Sequence, residues 1–131
     1  MATYLDRILS AHRESASSDA RSLDALIARA RSAPPARGFD LALRGAPMGE
    51  PAIIAEVKRR SPSRGDMAAD LDPAQTAEQY ALGGAACLSV LTDVGYFGGS
   101  VDDLVAARSA VSVPVVRKDF TVDARDVCDA R

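Results

Sequence analysis

Two lysines stand out among the residues that could exchange a proton. The chain has 16 Lys and Arg residues, of which 14 are Arg, so that Lys58 and Lys118 are the only lysines. A guanidinium stays protonated near neutral pH, whereas a lysine removed from water can act as an acid, a base or a Schiff-base amine. Each lysine follows a strand-like segment, IIAEV or VPVVR. We infer that lysine chemistry is needed at two strand ends.

Glu56 accompanies the first lysine. Side chains alternate between the two faces of a strand, so Ile54, Glu56 and Lys58 are expected on the same face. A carboxylate and an ammonium at a buried strand end are costly unless they are paired or used in function. Two interpretations stay open at this point: a catalytic pair, or a structural ion pair at the end of a strand.

Lys118 has Val116 and Phe120 as its neighbours on one strand face. Apolar surroundings disfavour the charged ammonium, which suits a general acid. The alternative is a lysine whose stem lies along the surface and whose ammonium stays in water.

The segment after Glu56 is a basic loop punctuated by Pro and Gly. Lys58, Arg59, Arg60 and Arg64 place four cations within seven residues, enough to attract a carboxylate or a phosphate, and Ser61 could donate to the same anion. An ordinary solvated loop is the alternative. The formal net charge of the chain is −2, which gives no general electrostatic case for nucleic acid, so we expect a small anion as the partner.

The composition is that of one folded domain, with 131 residues and 47% apolar residues. His12 is the only histidine, and Cys87 and Cys128 lack metal-ligand spacing, so we expect no metal site and reduced, packed thiols. The N-terminal segment lacks a long apolar stretch, which argues against a signal peptide or a membrane span and favours the cytoplasm.

The pattern of apolar residues and caps predicts two helices followed by alternating strands and helices. The expected helices are 2–17, 22 to about 33, 73–82, a segment after Ser100 and a segment after Asp123; the expected strands are 52–58, 87–93 and 114–120; 38–51 is expected to be irregular. This order predicts an α/β fold with a parallel sheet and an internal second strand. A (βα)8 barrel and an open doubly wound sheet both fit.

Three ordered segments, IIAEVKRRSPSRG, GGAACLSVLTDVGYFGGS and VPVVRKDFTVDARDV, resemble the indole-3-glycerol phosphate synthase family of tryptophan biosynthesis. The resemblance implies that 52–131 form about the first three βα units of a TIM barrel, and that 1–51 form a helical extension ahead of it. It also implies conversion of 1-(2-carboxyphenylamino)-1-deoxyribulose 5-phosphate to indole-3-glycerol phosphate with loss of carbon dioxide and water, without a metal or organic cofactor.

The same resemblance assigns roles to individual residues. Lys118 would be the general acid that protonates the substrate carbonyl, Lys58 would hold the anionic groups and assist proton transfer, and Glu56 would complete that network. The residues expected to contact the phosphorylated, carboxylated substrate are Ser61, Phe97 and Phe120.

The length of the chain leads to a further expectation. A TIM barrel takes roughly 250 residues, so the remainder of the barrel, from the same gene or from a second chain, would be the partner. We expect 131 residues alone to be inactive and poorly soluble, and we expect neither nucleic acid nor a membrane as a partner.

Two alternatives remain beside this function. One is a Schiff-base, aldolase-like barrel that uses Lys118 as its nucleophile. The other is a flavodoxin-like binding module, which would want an acidic cluster where this chain has Lys58, Arg59 and Arg60.

Overall fold

Six α-helices and five β-strands follow one another in the computed structural model, which describes residues 1–131. The helices are α1 (Tyr4–Ser17), α2 (Leu23–Ser32), α3 (Phe39–Arg44), α4 (Pro73–Leu82), α5 (Val101–Ala110) and α6 (Ala124–Ala130). The strands are β1 (Ile54–Val57), β2 (Arg60–Ser61), β3 (Gly65–Asp66), β4 (Cys87–Leu91) and β5 (Val115–Lys118). No helix combines the length and the hydropathy that crossing a bilayer requires.

The chain divides into two compact units. The helical unit comprises Met1–Pro35 and Phe120–Arg131, and the sheet unit comprises Ala36–Asp119. In the helical unit, Arg21 and Asp129 form an ion pair of 2.9 Å that joins the segment before α2 to α6.

The sheet unit is built on three parallel strands in the order β1-β4-β5, which confirms the predicted parallel sheet and the internal position of the second strand. All five residues of β4 are buried. Val57, Leu88 and Val90 form the core together with one alanine from each connecting helix, Ala77 in α4 and Ala107 in α5. Since alanine is small, the helix backbones can approach the sheet closely.

The register of the sheet fixes which side chains share its other face. Glu56 is aligned with Ser89, and Ser89 is aligned with Val116. Two residues further along the strands, Leu91 is aligned with Lys118. Aligned residues of parallel strands point to the same side. The Glu56 side chain and both strand-end lysines are therefore directed away from the face that packs on α4 and α5.

Two predictions about irregular segments were wrong. Residues 38–51 contain α3, whose six residues are too few to give a helical period in the sequence. The basic loop contains a short antiparallel hairpin in which Arg60 pairs with Asp66 and Ser61 with Gly65. The three main strands are also two or three residues shorter than predicted, because the pattern of side chains does not mark where the pairing of strands ends.

We predict that Gly99→Ala destabilises the protein by about 3 kcal/mol or more. A Cβ atom at Gly99 would overlap the Leu91 carbonyl oxygen, and backbone cannot move aside as a flexible side chain can. Gly95→Ala is the matched control, because a Cβ there meets nothing within 4 Å. Urea unfolding of both variants measures the difference, and equal midpoints would contradict the prediction.

We also predict unequal reactivity of the two free thiols. Cys87 is fully buried, and this burial raises the pKa of its thiol, which lowers the fraction of reactive thiolate. Cys128 is half-buried. N-ethylmaleimide at pH 8, followed by peptide mass spectrometry, should label Cys128 first and Cys87 only after unfolding. Equal labelling rates in the native protein would refute this.

Candidate active site

The Glu56 and Lys58 side chains meet at the carboxyl end of β1. Lys58 Nζ lies 3.2 Å from Glu56 Oε1, and Ser89 Oγ donates a hydrogen bond of 3.3 Å to Glu56 Oε2. The prediction that Glu56 and Lys58 share a strand face is confirmed by this contact. Ser89 was missed, although the parallel alignment of two strands whose ends carry polar residues could have indicated it.

The Glu56–Lys58 ion pair is too exposed to contribute much to the stability of the fold. The Lys58 side chain keeps 30% of its surface in water and the Glu56 side chain 35%. Pairs of this kind contribute about 0–1 kcal/mol, because water screens them. The ammonium can therefore exchange its carboxylate partner for an incoming anion at little cost, while Glu56 keeps the Ser89 hydroxyl as a partner.

Lys118 lies at the carboxyl end of β5 with an exposed side chain. Its same-face neighbour Val116 is 40% exposed. Phe120 belongs to the helical unit, where its ring centroid lies 5.3 Å from that of His12. Within the sheet unit, the apolar enclosure expected around Lys118 is therefore not formed.

The two sequence neighbours of Lys118 are anchored to the end of β4. Arg117 Nε donates a hydrogen bond of 2.9 Å to Thr92 Oγ1, and Arg117 Nη2 lies 3.3 Å from Asp119 Oδ2. The Thr92 hydroxyl also donates to the Asp119 carboxylate. Lys118 is thus held between two fixed residues, which limits the positions of its backbone. Sequence inspection missed this network because its members come from two strands.

The arginines of the basic loop have structural partners, which corrects their interpretation as one anion-attracting cluster. The hydrogen-bonded Asp103 carboxylate raises the pKa of the Arg59 guanidinium. Arg60 donates to the carbonyl oxygens of Val94 and Gly95. Only Arg64 remains exposed at the hairpin, so the local positive charge available to a ligand comes mainly from Lys58 and Arg64.

Ser61 and Phe97, the two loop residues predicted to contact the substrate, each take part in hydrogen bonds with nearby loop residues. Ser61 Oγ accepts from the Arg64 amide at 3.3 Å. The Asp93 carboxylate accepts from the Phe97 amide at 3.0 Å, and the Phe97 carbonyl oxygen accepts from the Arg60 amide at 3.3 Å. The loop that carries Phe97 is therefore joined to the residue just before Ser61.

Comparison with known proteins shows which proteins this chain is similar to. The family model described as indole-3-glycerol phosphate synthase matches residues 5–131. An indole-3-glycerol phosphate synthase from Hyphomonas neptunium is 47% identical over 134 residues, and the alignment covers 100% of this chain and 51% of that protein. The chain thus spans about half the length of this relative.

We predict that Lys58→Met changes the free energy of unfolding by less than about 1 kcal/mol. The reason is that its ion pair is exposed. Arg59→Met should cost about 3 kcal/mol, because it leaves the nearly buried Asp103 carboxylate without its cation. Urea unfolding of the two variants tests the contrast, and a large loss for Lys58→Met would mean that the Glu56–Lys58 pair is structural after all.

Proposed function

The chain belongs to the indole-3-glycerol phosphate synthase family, and on that premise we propose that it forms part of an active site that makes indole-3-glycerol phosphate. The substrate would be 1-(2-carboxyphenylamino)-1-deoxyribulose 5-phosphate, and carbon dioxide and water would be lost. The observation that carries the proposal is the exposed Glu56–Lys58 pair, which lies on the same sheet face as Lys118. A site with two lysines and one carboxylate suits an anionic substrate that must be protonated.

The proposed fold is the first three βα units of a (βα)8 barrel, preceded by the helical extension 1–51. Parallel strands connected through α4 and α5 support it. In this barrel the carboxyl ends of the strands carry the active site. Lys58 and Lys118 both stand at such ends, as expected.

The remainder of the barrel is the proposed partner, supplied by the same polypeptide or by a second one. β1 and β5 are the outer strands of the three-stranded sheet. Ile54 is 47% and Val116 is 40% exposed on the face that would line the barrel interior. Unpaired strand edges and exposed branched side chains are the features that further barrel strands would cover.

The proposed chemistry assigns one task to each group. Lys58 leaves the Glu56 carboxylate and binds an anionic group of the substrate. Glu56 then assists proton transfer while its carboxylate keeps the hydrogen bond from the Ser89 hydroxyl. Lys118 donates a proton to the substrate carbonyl oxygen as the aromatic carbon that bears the carboxylate attacks the carbonyl carbon. Carbon dioxide then leaves that aromatic carbon, and the electrons of the broken bond restore the aromatic ring. The new hydroxyl accepts a second proton and leaves as water, and the methylene carbon beside the nitrogen loses a proton, which forms the double bond of the indole ring.

Substrate positioning would fall to Ser61 and to the rings of Phe97 and Phe120. A hydroxyl can donate to a phosphate or a carboxylate, and an aromatic ring packs on the anthranilate-derived ring. The proposal needs no organic cofactor or metal, and it needs neither nucleic acid nor a membrane. A phosphorylated substrate crosses membranes poorly because its charge is costly to desolvate, so we place the reaction in the cytoplasm.

The test uses a complete barrel, made by fusing this chain to the half of the Hyphomonas neptunium protein that it does not cover. The fused protein should form indole-3-glycerol phosphate. Lys118→Arg should keep the charge but lower kcat by about 100-fold or more, because a guanidinium cannot donate its proton near neutral pH. Arg44→Lys, at an exposed pair on α3, is the matched control and should keep its turnover.

Three outcomes would overturn the proposal. A folded fusion without turnover would refute the activity, and normal kcat in Lys118→Arg would remove Lys118 as the acid. A covalent adduct on Lys118 after borohydride treatment with the substrate would indicate Schiff-base, aldolase-like chemistry instead.

A further inference from the structure

Arg59 connects the end of β1 to the first turn of α5. Arg59 Nε lies 2.8 Å from Asp103 Oδ2, and Arg59 Nη2 lies 3.0 Å from Asp103 Oδ1. The Arg59 side chain is 22% exposed and that of Asp103 is 13% exposed. A two-point contact between a planar guanidinium and a carboxylate fixes orientation as well as distance. This pair is therefore more constrained than the Glu56–Lys58 pair beside it.

The same guanidinium also closes the loop that begins at Lys58. Arg59 Nη1 donates to the carbonyl oxygens of Ala69 at 2.7 Å and Leu71 at 2.8 Å. The Arg59 carbonyl oxygen accepts from the amides of Met67 and Ala68, both at 2.9 Å. Both the backbone and the side chain of Arg59 therefore bind the residues at the far end of the loop. All three guanidinium nitrogens of Arg59 have hydrogen-bond acceptors within the protein.

Asp103 is itself fixed beside the Phe97 loop. It is the third residue of α5, and its amide donates a hydrogen bond of 3.0 Å to Oγ of Ser100, the N-cap residue. Three residues earlier, the Phe97 carbonyl oxygen accepts from the Arg60 amide. Asp103 is thus bonded to Arg59 and to Ser100, and the chain from Ser100 leads back three residues to Phe97, which is bonded to the hairpin residue Arg60.

We propose that Arg59 and Asp103 are positioning residues for the ring closure, because they hold the Lys58 loop against the Phe97 loop without touching the substrate. This inference rests on the proposed function. Lys58 lies between Val57, which is 2% exposed, and Arg59, so anchoring these two neighbours restricts where its ammonium can be placed. A displacement of about 1 Å at a reacting group can cost about 100-fold in rate.

The first experiment measures the clamp without turnover. Arg64 is exposed at the hairpin, so trypsin can cleave after it when the loop opens. Asp103→Ala keeps every tryptic site and should speed cleavage after Arg64 about 10-fold under native conditions. Asp40→Ala removes the exposed partner of Arg44 and should leave the cleavage rate unchanged. An unchanged rate in Asp103→Ala would overturn the clamp, whatever the activity of the protein.

The second experiment uses kinetics in the fused barrel. Arg59→Ala and Asp103→Ala should each lower kcat by about 10-fold to 100-fold, with KM changed less than about threefold. The double variant should be no slower than the slower single variant, because both residues act through one contact. Arg59→Lys should recover only part of kcat, since one ammonium cannot replace the two-point contact.

The kinetic outcomes separate this inference from its alternatives. A raised KM with normal kcat would identify Arg59 as a substrate ligand, and multiplying losses in the double variant would indicate two independent roles; either would overturn the proposal. Normal kcat in a folded Arg59→Ala variant would do the same. If the unsubstituted fusion is inactive while Asp103→Ala still speeds proteolysis, the proposed function fails and the clamp stands.

Discussion

The burial of β4 between β1 and β5 is the constraint on which the rest of the sheet unit depends. All five of its residues are buried, so its backbone groups must be paired on both sides, and the neighbouring strands that pair with it both run parallel. That pairing sets the register, and the register places Glu56, Ser89 and Lys118 on one face. The positions of the polar side chains at the strand ends therefore follow from how a fully buried strand is covered by its neighbours.

Neighbouring cations in this chain do different work because their surroundings differ. Lys58 keeps nearly a third of its side-chain surface in water and has one carboxylate within reach, so its partner can be exchanged. Arg59, one residue later, is surrounded by one carboxylate and two carbonyl oxygens. The end of one strand thus carries a cation that can change its partner, Lys58, next to a cation that cannot, Arg59. The fixed position of Arg59 determines where Lys58 lies.

Local features of the sequence predicted local structure well. The strand period placed Glu56 beside Lys58, and Asp72 followed by Pro73 marked the start of α4, where the Asp72 carboxylate caps the helix as expected. The partner of Arg59 could not be predicted, because Asp103 is 44 positions away and no local pattern distinguishes Arg59 from Arg60 or Arg64. α3 was missed because six residues, fewer than two turns, leave no measurable period. The roles of the site residues stay predictions.

The direction and number of strands in the sheet limit how copies of the chain could associate through their outer strands. If two copies met about a two-fold axis, their outer strands would run antiparallel or would present opposite faces of the sheet to each other. A head-to-tail contact of β5 with β1 of a copy would keep direction and face, but sheets of three strands add up to six or nine and never to the eight of a TIM barrel. Copies of this sheet alone therefore cannot add up to the eight-stranded barrel proposed above.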